Sequence, residues 1–125
     1  MITSAQNPKI KWLRQLQSSP SLRRLEQLFI VEGVRLAEEA LNSGWQAPQI
    51  FFTDELSERG RIVLQSYAAQ GAQLELVAEA VMRSASDTQS PQGVLAVLKM
   101  RQLPLPKNPD FIPDPVFAPF PRPVF

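Results

Sequence analysis

The sequence of 125 residues contains neither cysteine nor histidine. This excludes disulfide bonds, thiol nucleophiles, Ser-His and Cys-His catalytic pairs, and zinc or iron–sulfur sites that use Cys or His ligands. Among metal sites, the composition leaves open a magnesium or calcium site made of carboxylates. The acidic clusters, Glu38-Glu39 and Asp54-Glu55-Glu58, suit helix faces or a first helical turn, where solvation or capping explains them. We therefore predict neither a catalytic carboxylate pair nor a metal site.

Glycine and long apolar runs are also scarce. There are five glycines, and neither GxxxxGK[ST] nor GxGxxG occurs, so no nucleotide-binding loop is expected. No apolar run reaches the roughly 18 to 20 residues of a membrane helix. Met1 is followed by polar residues rather than by the apolar segment of a signal peptide. We therefore expect a cytoplasmic protein without a membrane anchor.

Proline is abundant in one region only. Eight of the twelve prolines lie between Pro104 and Pro123. Each removes a backbone donor and favours extended geometry in the residue before it, so neither a helix nor a central strand is expected there. We predict a folded domain over residues 1–103 and a Pro/Phe-rich tail or linker over residues 104–125. A PxxP segment such as Pro106 to Pro109 leaves an alternative open, in which the tail binds an SH3-type domain.

Before the tail, helix-like and strand-like segments alternate, which is typical of an α/β layer fold. Asn7-Pro8 and Ser19-Pro20 each combine an N-cap residue with proline at the first helical position, so they predict two short helices. Apolar runs predict strands at residues 29–31, 50–52, 74–77 and 94–98. Between the strands we predict three helices. The first covers residues 34–41, the second starts from a cap at 53–55 and has an apolar face that ends at Ala68, and the third covers residues 78–85. The predicted order is ααβαβαβαβ.

Positive charge is concentrated toward the amino terminus. Residues 1–35 carry six basic and two acidic side chains, whereas residues 36–100 carry four basic and eight acidic ones. A basic face of this kind is typical of polyanion binding, although a window of this length also reaches such an imbalance by chance. We expect Arg23 and Arg24 to point away from the apolar side of the second helix. The six basic residues are Lys9, Lys11, Arg14, Arg23, Arg24 and Arg35.

At residues 29–35, FIVEGVR, a strand runs through a glycine into a helix. Such a junction exposes unpaired N–H groups at the start of the helix, and Gly33 lets a ligand approach the backbone closely. Arg35 adds a bidentate phosphate donor, which Glu32 would orient. A tight turn with a surface ion pair explains the same residues without a ligand.

The loop at residues 86–93, SDTQSPQG, is dense in small hydrogen-bonding side chains. Pro91 stiffens it, and Gly93 permits close approach where the last strand begins. The amide of Gln92 both donates and accepts, which suits reading a base edge or a sugar. An ordinary helix-to-strand turn is the alternative.

Three segments together resemble one family. They are residues 2–11, ITSAQNPKIK, residues 29–36, FIVEGVRL, and residues 86–97, SDTQSPQGVLAV. In this order and spacing they resemble the N-terminal substrate-binding domain of SpoU/TrmH-family RNA methyltransferases, over residues 2–97. The resemblance implies a three-layer α/β/α fold with a mixed four-stranded sheet, similar to kink-turn-binding ribosomal proteins and preceded by two short basic helices.

The resemblance also implies a function. Family members methylate a ribose 2′-hydroxyl of rRNA or tRNA with S-adenosylmethionine, which a C-terminal knotted domain binds, and that domain also allows a homodimer. The Asn-bearing segment and glycine-rich loops of the knotted domain have no counterpart in this sequence. We therefore interpret the chain as an RNA substrate-binding domain that carries no catalytic residue, no cofactor site and no activity of its own.

These arguments predict a set of RNA contacts that combines phosphate binding with base or sugar recognition. Two alternatives stay open: a small enzyme that acts alone, and a protein-interaction module that uses the Pro/Phe tail or a sheet edge. The predicted RNA-binding residues are Lys9, Lys11, Arg14, Arg23, Arg24, Glu32, Gly33, Arg35 and Gln92.

Overall fold

The computed structural model describes residues 1–86 and 93–101, so the predicted tail and Gln92 lie outside the described residues. Within them the predicted order ααβαβαβαβ is confirmed. The elements are α1 (Pro8–Ser18), α2 (Pro20–Glu26), β1 (Leu28–Glu32), α3 (Val34–Asn42), β2 (Gln49–Phe52), α4 (Glu58–Ala69), β3 (Gln73–Leu76), α5 (Glu79–Ala85) and β4 (Val94–Lys99).

The four strands form one mixed sheet in the order β1-β4-β2-β3. β2 and β3 are parallel, whereas β4 runs antiparallel to both β1 and β2. β4 is therefore a central strand, and all of its residues from Val94 to Leu98 are buried. This agrees with its continuous apolar sequence, which is typical of a strand covered on both faces.

Helices cover both faces of the sheet, as the predicted three-layer α/β/α class requires. One apolar cluster joins α3 and α4 to Phe29, Ile50 and Ala96. The other joins α1 and α5 to Phe51 and Leu95, which alternate with the first set along their strands. We call these the α3/α4 face and the α1/α5 face. None of the helices in residues 1–86 and 93–101 combines the length and apolar character that crossing a bilayer requires.

Two details of the fourth helix differ from the prediction. It begins at Glu58, and its N-cap is Ser57 rather than one of residues 53–55. The Ser57 Oγ accepts the Gly60 N–H at 3.1 Å. Leu56 is buried just before the helix, and Ala68 is exposed rather than part of the apolar face. Thr53 instead bonds to Gly93, its N–H donating to the Gly93 carbonyl at 3.0 Å. The end of β2 is thus used for strand pairing, which delays the start of the helix.

The last described residues are fixed to the domain by an arginine. The Arg101 guanidinium lies 4.3 Å from the ring centroid of Trp45 and donates to the Ser43 carbonyl. Trp45 in turn packs edge-on against Phe29, with 5.2 Å between the ring centroids. Such a cation–π contact on a buried indole contributes about 1 kcal/mol. Met100 and Arg101, the two described residues after β4, are therefore fixed against the core.

Tyr67 is the single tyrosine of the sequence and is fully buried, and burial raises its pKa to about 12. We expect its phenolate absorbance to appear with a midpoint near pH 12 in the folded protein and about 10 in the unfolded chain. Because the folded state holds this proton more tightly, stability should fall as pH rises from about 10 to 12. Tyr67→Phe should remove that part of the pH dependence. A midpoint near 10 with native circular dichroism would contradict this assignment.

Candidate nucleic-acid interface

One edge of the sheet brings the predicted motifs together. The carboxyl ends of β1, β2 and β3 lie beside the amino end of β4, since β4 is antiparallel to its neighbours. The Gly33 N–H donates to the Val94 carbonyl at 3.0 Å, just as Thr53 does to Gly93. We call this end the upper edge, and the opposite end, at Leu28 and Lys99, the lower edge. The two glycine-containing motifs thus meet in the upper edge.

Gly33 occupies a backbone conformation that requires glycine. Its φ of 99° and ψ of 154° lie in a region that residues with a Cβ essentially do not adopt. This conformation turns the chain from β1 directly into α3, and the Gly33 carbonyl accepts the Ala37 N–H at 3.1 Å. No side chain caps the start of α3 among the described residues. The backbone N–H groups of its first turn therefore point toward the upper edge.

A hydrogen bond joins the two motifs through their side chains. The Ser86 hydroxyl donates to the Glu32 carboxylate, across 54 positions of sequence. Ser86 is the C-cap of α5, and its N–H donates to the Met82 carbonyl at 2.9 Å. Glu32 therefore anchors the start of the 86–93 loop, whereas the sequence suggested that it orients Arg35.

Arg35 lies on the other side of the turn, at the start of α3. Its side chain is 88% exposed, and its Nε is 3.6 Å from the Glu39 carboxylate. A contact this long and this exposed contributes little to stability, so the guanidinium is available to a ligand. Arg35 belongs to α3 and therefore lies on the α3/α4 face.

The basic residues of α1 lie on the α1/α5 face. Lys9 forms an ion pair with Glu75 of β3, and Lys11 is exposed. Arg14 is partly buried and donates through Nη2 to the Ala5 carbonyl at 3.0 Å, so one edge of its guanidinium holds the segment that precedes α1.

Arg23 does not point away from the domain, and this prediction was wrong. The side chain is buried, with 6% of its surface exposed, and Nη1 donates to the Leu16 and Gln17 carbonyls. These carbonyls belong to the last turn of α1, which lacks intrahelical partners for them. Arg23 therefore caps α1, whereas the neighbouring Arg24 is exposed as predicted.

The six basic residues therefore do not form one continuous face. Arg24 lies near the lower edge, because α2 ends just before Leu28, which pairs with Lys99. Arg35 lies past the upper end of β1, a strand of five residues that spans about 16 Å. A count of charges along the sequence contains no information on this separation.

An acidic pair, Glu55 and Glu79, also lies at the upper edge, and of the two the sequence analysis considered only Glu55, in a first helical turn. A hydrogen bond that the protonated Glu55 carboxyl donates to Glu79, together with the negative charge of Glu79, raises the pKa of Glu55. Glu55 follows β2, and Glu79 begins α5, so both project from the carboxyl ends of parallel strands. In the described part of the chain, no group of His, Cys, Asp or Glu is arranged to hold a metal ion. This corner disfavours phosphate, which directs an anionic ligand toward Arg35.

Curated relatives share this domain. The uncharacterized tRNA/rRNA methyltransferase slr1673 of Synechocystis sp. is 36% identical to this chain over 101 residues. The match covers 81% of this chain and 36% of that protein. The 23S rRNA (guanosine(2553)-2′-O)-methyltransferase RlmP of Bacillus subtilis is 30% identical over 99 residues, 79% of this chain and 37% of that protein. The chain thus spans little more than a third of the length of these relatives.

Solved structures agree. An rRNA methyltransferase from Sinorhizobium meliloti superposes with a TM-score of 0.73 at 27% identity, over 83% of this chain and 38% of that chain, and is also known in an AdoMet-bound form. An RNA 2′-O ribose methyltransferase gives 0.70 at 34% identity, over 91% of this chain and 42% of that chain. The 15.5kD RNA binding protein of Giardia lamblia shares the fold alone, with 0.51 at 17% identity, over 78% of each chain.

The two relatives and the RNA 2′-O ribose methyltransferase structure confirm the resemblance seen in the sequence, and a Porphyromonas gingivalis protein assigned to the TrmH family of RNA methyltransferases, at 25% identity and a TM-score of 0.62 over 81% of this chain and 38% of that chain, agrees with it. A family model described as MRM3-like substrate binding domain matches residues 7–96, almost the whole described domain. The chain therefore belongs to the family of MRM3-like substrate-binding domains of RNA methyltransferases.

Proposed function

We propose that this domain holds structured rRNA or tRNA at its upper edge while a separate S-adenosylmethionine-dependent domain methylates a ribose 2′-hydroxyl. In this proposal residues 1–103 form the RNA-binding unit, and residues 104–125 are a tail or linker. The chain supplies neither the cofactor site nor the catalytic groups, and any homodimer forms through the catalytic domain. The working compartment is the cytoplasm.

The observation that carries the proposal is the convergence of two polar motifs in the upper edge. The Glu32–Ser86 hydrogen bond and the Gly33–Val94 backbone bond hold together segments that are more than fifty residues apart. A purely structural turn does not require an exposed arginine and uncapped helix N–H groups beside it. Hydrogen-bond donors around an open backbone suit the phosphates and 2′-hydroxyls of folded RNA.

The proposed contacts fall into two groups. Gly33 and Arg35, with Glu32 as anchor of the loop, bind the RNA at the upper edge, and Gln92, which lies outside the described residues, adds the base or sugar contact predicted from the sequence. Lys9, Lys11, Arg14 and Arg24 attract phosphates on the α1/α5 side. Arg23 supports this surface by capping α1 and makes no phosphate contact itself.

Titration of the full chain with a structured RNA hairpin and with a single strand of equal length tests the proposal. We expect tighter binding of the hairpin, because shape as well as charge is recognised. If about four cations meet phosphates, log affinity should fall with log salt with a slope near −3. NMR shifts should map to residues 32–35 and to the segment after Ser86. Equal affinity for both RNAs, or shifts that avoid these segments, would refute the proposed function.

A pair of charge reversals tests the basic surface. Arg24→Glu should weaken hairpin binding about fivefold, because it replaces attraction of a phosphate with repulsion. Arg61→Glu is the matched control, an exposed arginine on α4, and should change affinity less than about twofold. Equal losses for the two variants would show that net charge alone governs binding.

A further inference from the structure

A groove of about 570 Å³ separates the first turns of α3 and α4. It begins beside the Gly33 turn, so it is continuous with the upper edge. Arg35 reaches it from α3, and Arg59 reaches it from α4. The groove is lined by Val34, Arg35, Glu38, Glu39, Ser57 and Arg59. Arg59 belongs to no sequence motif associated with ligand binding, so it is not among the residues predicted from the sequence.

The Arg59 side chain is held in one orientation by a carboxylate. Its Nε donates to Glu38 Oε2 at 2.9 Å, and its Nη2 donates to Glu38 Oε1. This bidentate contact lowers the pKa of Glu38. A guanidinium has five N–H donors, and the two that bind Glu38 occupy one edge. The other edge, formed by Nη1 and Nη2, is left to bind a second oxyanion.

Exposure differs between the basic and acidic side chains of the groove. The arginine side chains are 88% exposed for Arg35 and 71% for Arg59, whereas their partners Glu39 and Glu38 are 39% and 26% exposed. The carboxylates thus lie beneath the guanidinium groups. An approaching ligand meets cations first, although the formal charges of these four residues cancel.

We propose that this groove binds a backbone phosphate of the RNA, with Arg59 as a phosphate-binding residue and Glu38 as the residue that positions it. The proposal rests on the proposed function and extends the surface from the upper edge onto the α3/α4 face. Arg35 contacts the same strand of RNA from the opposite wall. Its long contact with Glu39 is exchanged for a phosphate at little cost.

The test uses the full chain and the structured hairpin. Arg59→Ala should weaken binding about fivefold and make the salt slope shallower by roughly 0.7 to 0.9, the value for one phosphate contact. Arg61→Ala is the matched control, because it removes the same side chain from the same helix, two positions along, where the side chain points away from the groove. It should leave the slope unchanged. Circular dichroism verifies that each variant is folded.

Glu38→Gln separates a positioning role from simple electrostatics. Removing a negative charge should tighten RNA binding if charge alone matters, whereas loss of the anchor for Arg59 should weaken it. We expect weaker binding. Tighter binding would overturn the role of Glu38, and an unchanged slope in Arg59→Ala would overturn the groove. If the unmodified chain does not prefer the hairpin, the proposed function itself fails, so the two failures are distinguishable.

Discussion

Replacing Gly33 with alanine should lower the free energy of unfolding by about 3 kcal/mol, the upper end of the cost of a strained backbone conformation. The φ of 99° and ψ of 154° are disfavoured for any residue with a Cβ. Relaxation is prevented because the Gly33 N–H and carbonyl are both bonded, to Val94 and Ala37. The position is also buried. Urea denaturation followed by circular dichroism measures the loss.

Gly71→Ala is the control for this variant. Gly71 also has a positive φ, 97°, but an added Cβ at this position meets nothing within 4 Å. It should cost about 1 kcal/mol, for backbone strain alone. Equal losses at Gly33 and Gly71 would mean that the sheet-to-helix turn tolerates rearrangement. A larger loss of stability at Gly33 than at Gly71 would show that the backbone of this turn requires glycine even in the absence of RNA.

Replacing Arg23 with methionine should destabilise the domain by about 2 to 3 kcal/mol, because charge-assisted bonds to the Leu16 and Gln17 carbonyls are lost. Methionine keeps most of the aliphatic stem, so the loss reports the hydrogen bonds rather than a cavity. The control is Arg24→Met, one residue along, where the side chain is exposed and the expected change is within about 0.5 kcal/mol.

The outcome for RNA binding separates two interpretations of Arg23. If Arg23 only caps α1, the methionine variant should bind the hairpin with unchanged affinity under conditions in which it remains folded. A loss of affinity without a loss of stability would instead restore the direct RNA contact that the sequence suggested.

Much of the fold follows from local chemistry and was predictable for that reason. The Asn7 side chain accepts the Lys9 N–H at 2.9 Å, and Ser19 Oγ accepts the Leu22 N–H at 3.1 Å, as expected of N-cap residues before a helix. Both signals act within three residues, so they are visible in sequence. The apolar character of β4 similarly predicts its central position.

The site depends on contacts between distant residues, and much less of it was predictable. Arg23 and Arg24 are adjacent arginines, and nothing local in the sequence indicates which of them is buried. The burial of Arg23 depends on where α1 ends relative to α2. The pairing of Ser86 with Glu32 and of Arg59 with Glu38 requires the sheet order, which places elements 54 and 21 residues apart side by side. The position of Gly33 in the turn between β1 and α3 was predictable because it depends on neighbouring residues alone.

The contact of Arg101 with Trp45 makes β4 a spacer of fixed length. Its amino end lies in the upper edge, and its carboxyl end leads to Arg101, which is fixed on Trp45 and Ser43. Six residues of extended chain span about 20 Å. The Gly33 turn and Arg101 therefore lie at opposite ends of the sheet, about that distance apart. Because β4 is paired on both sides within the sheet, this separation cannot change without breaking strand pairing.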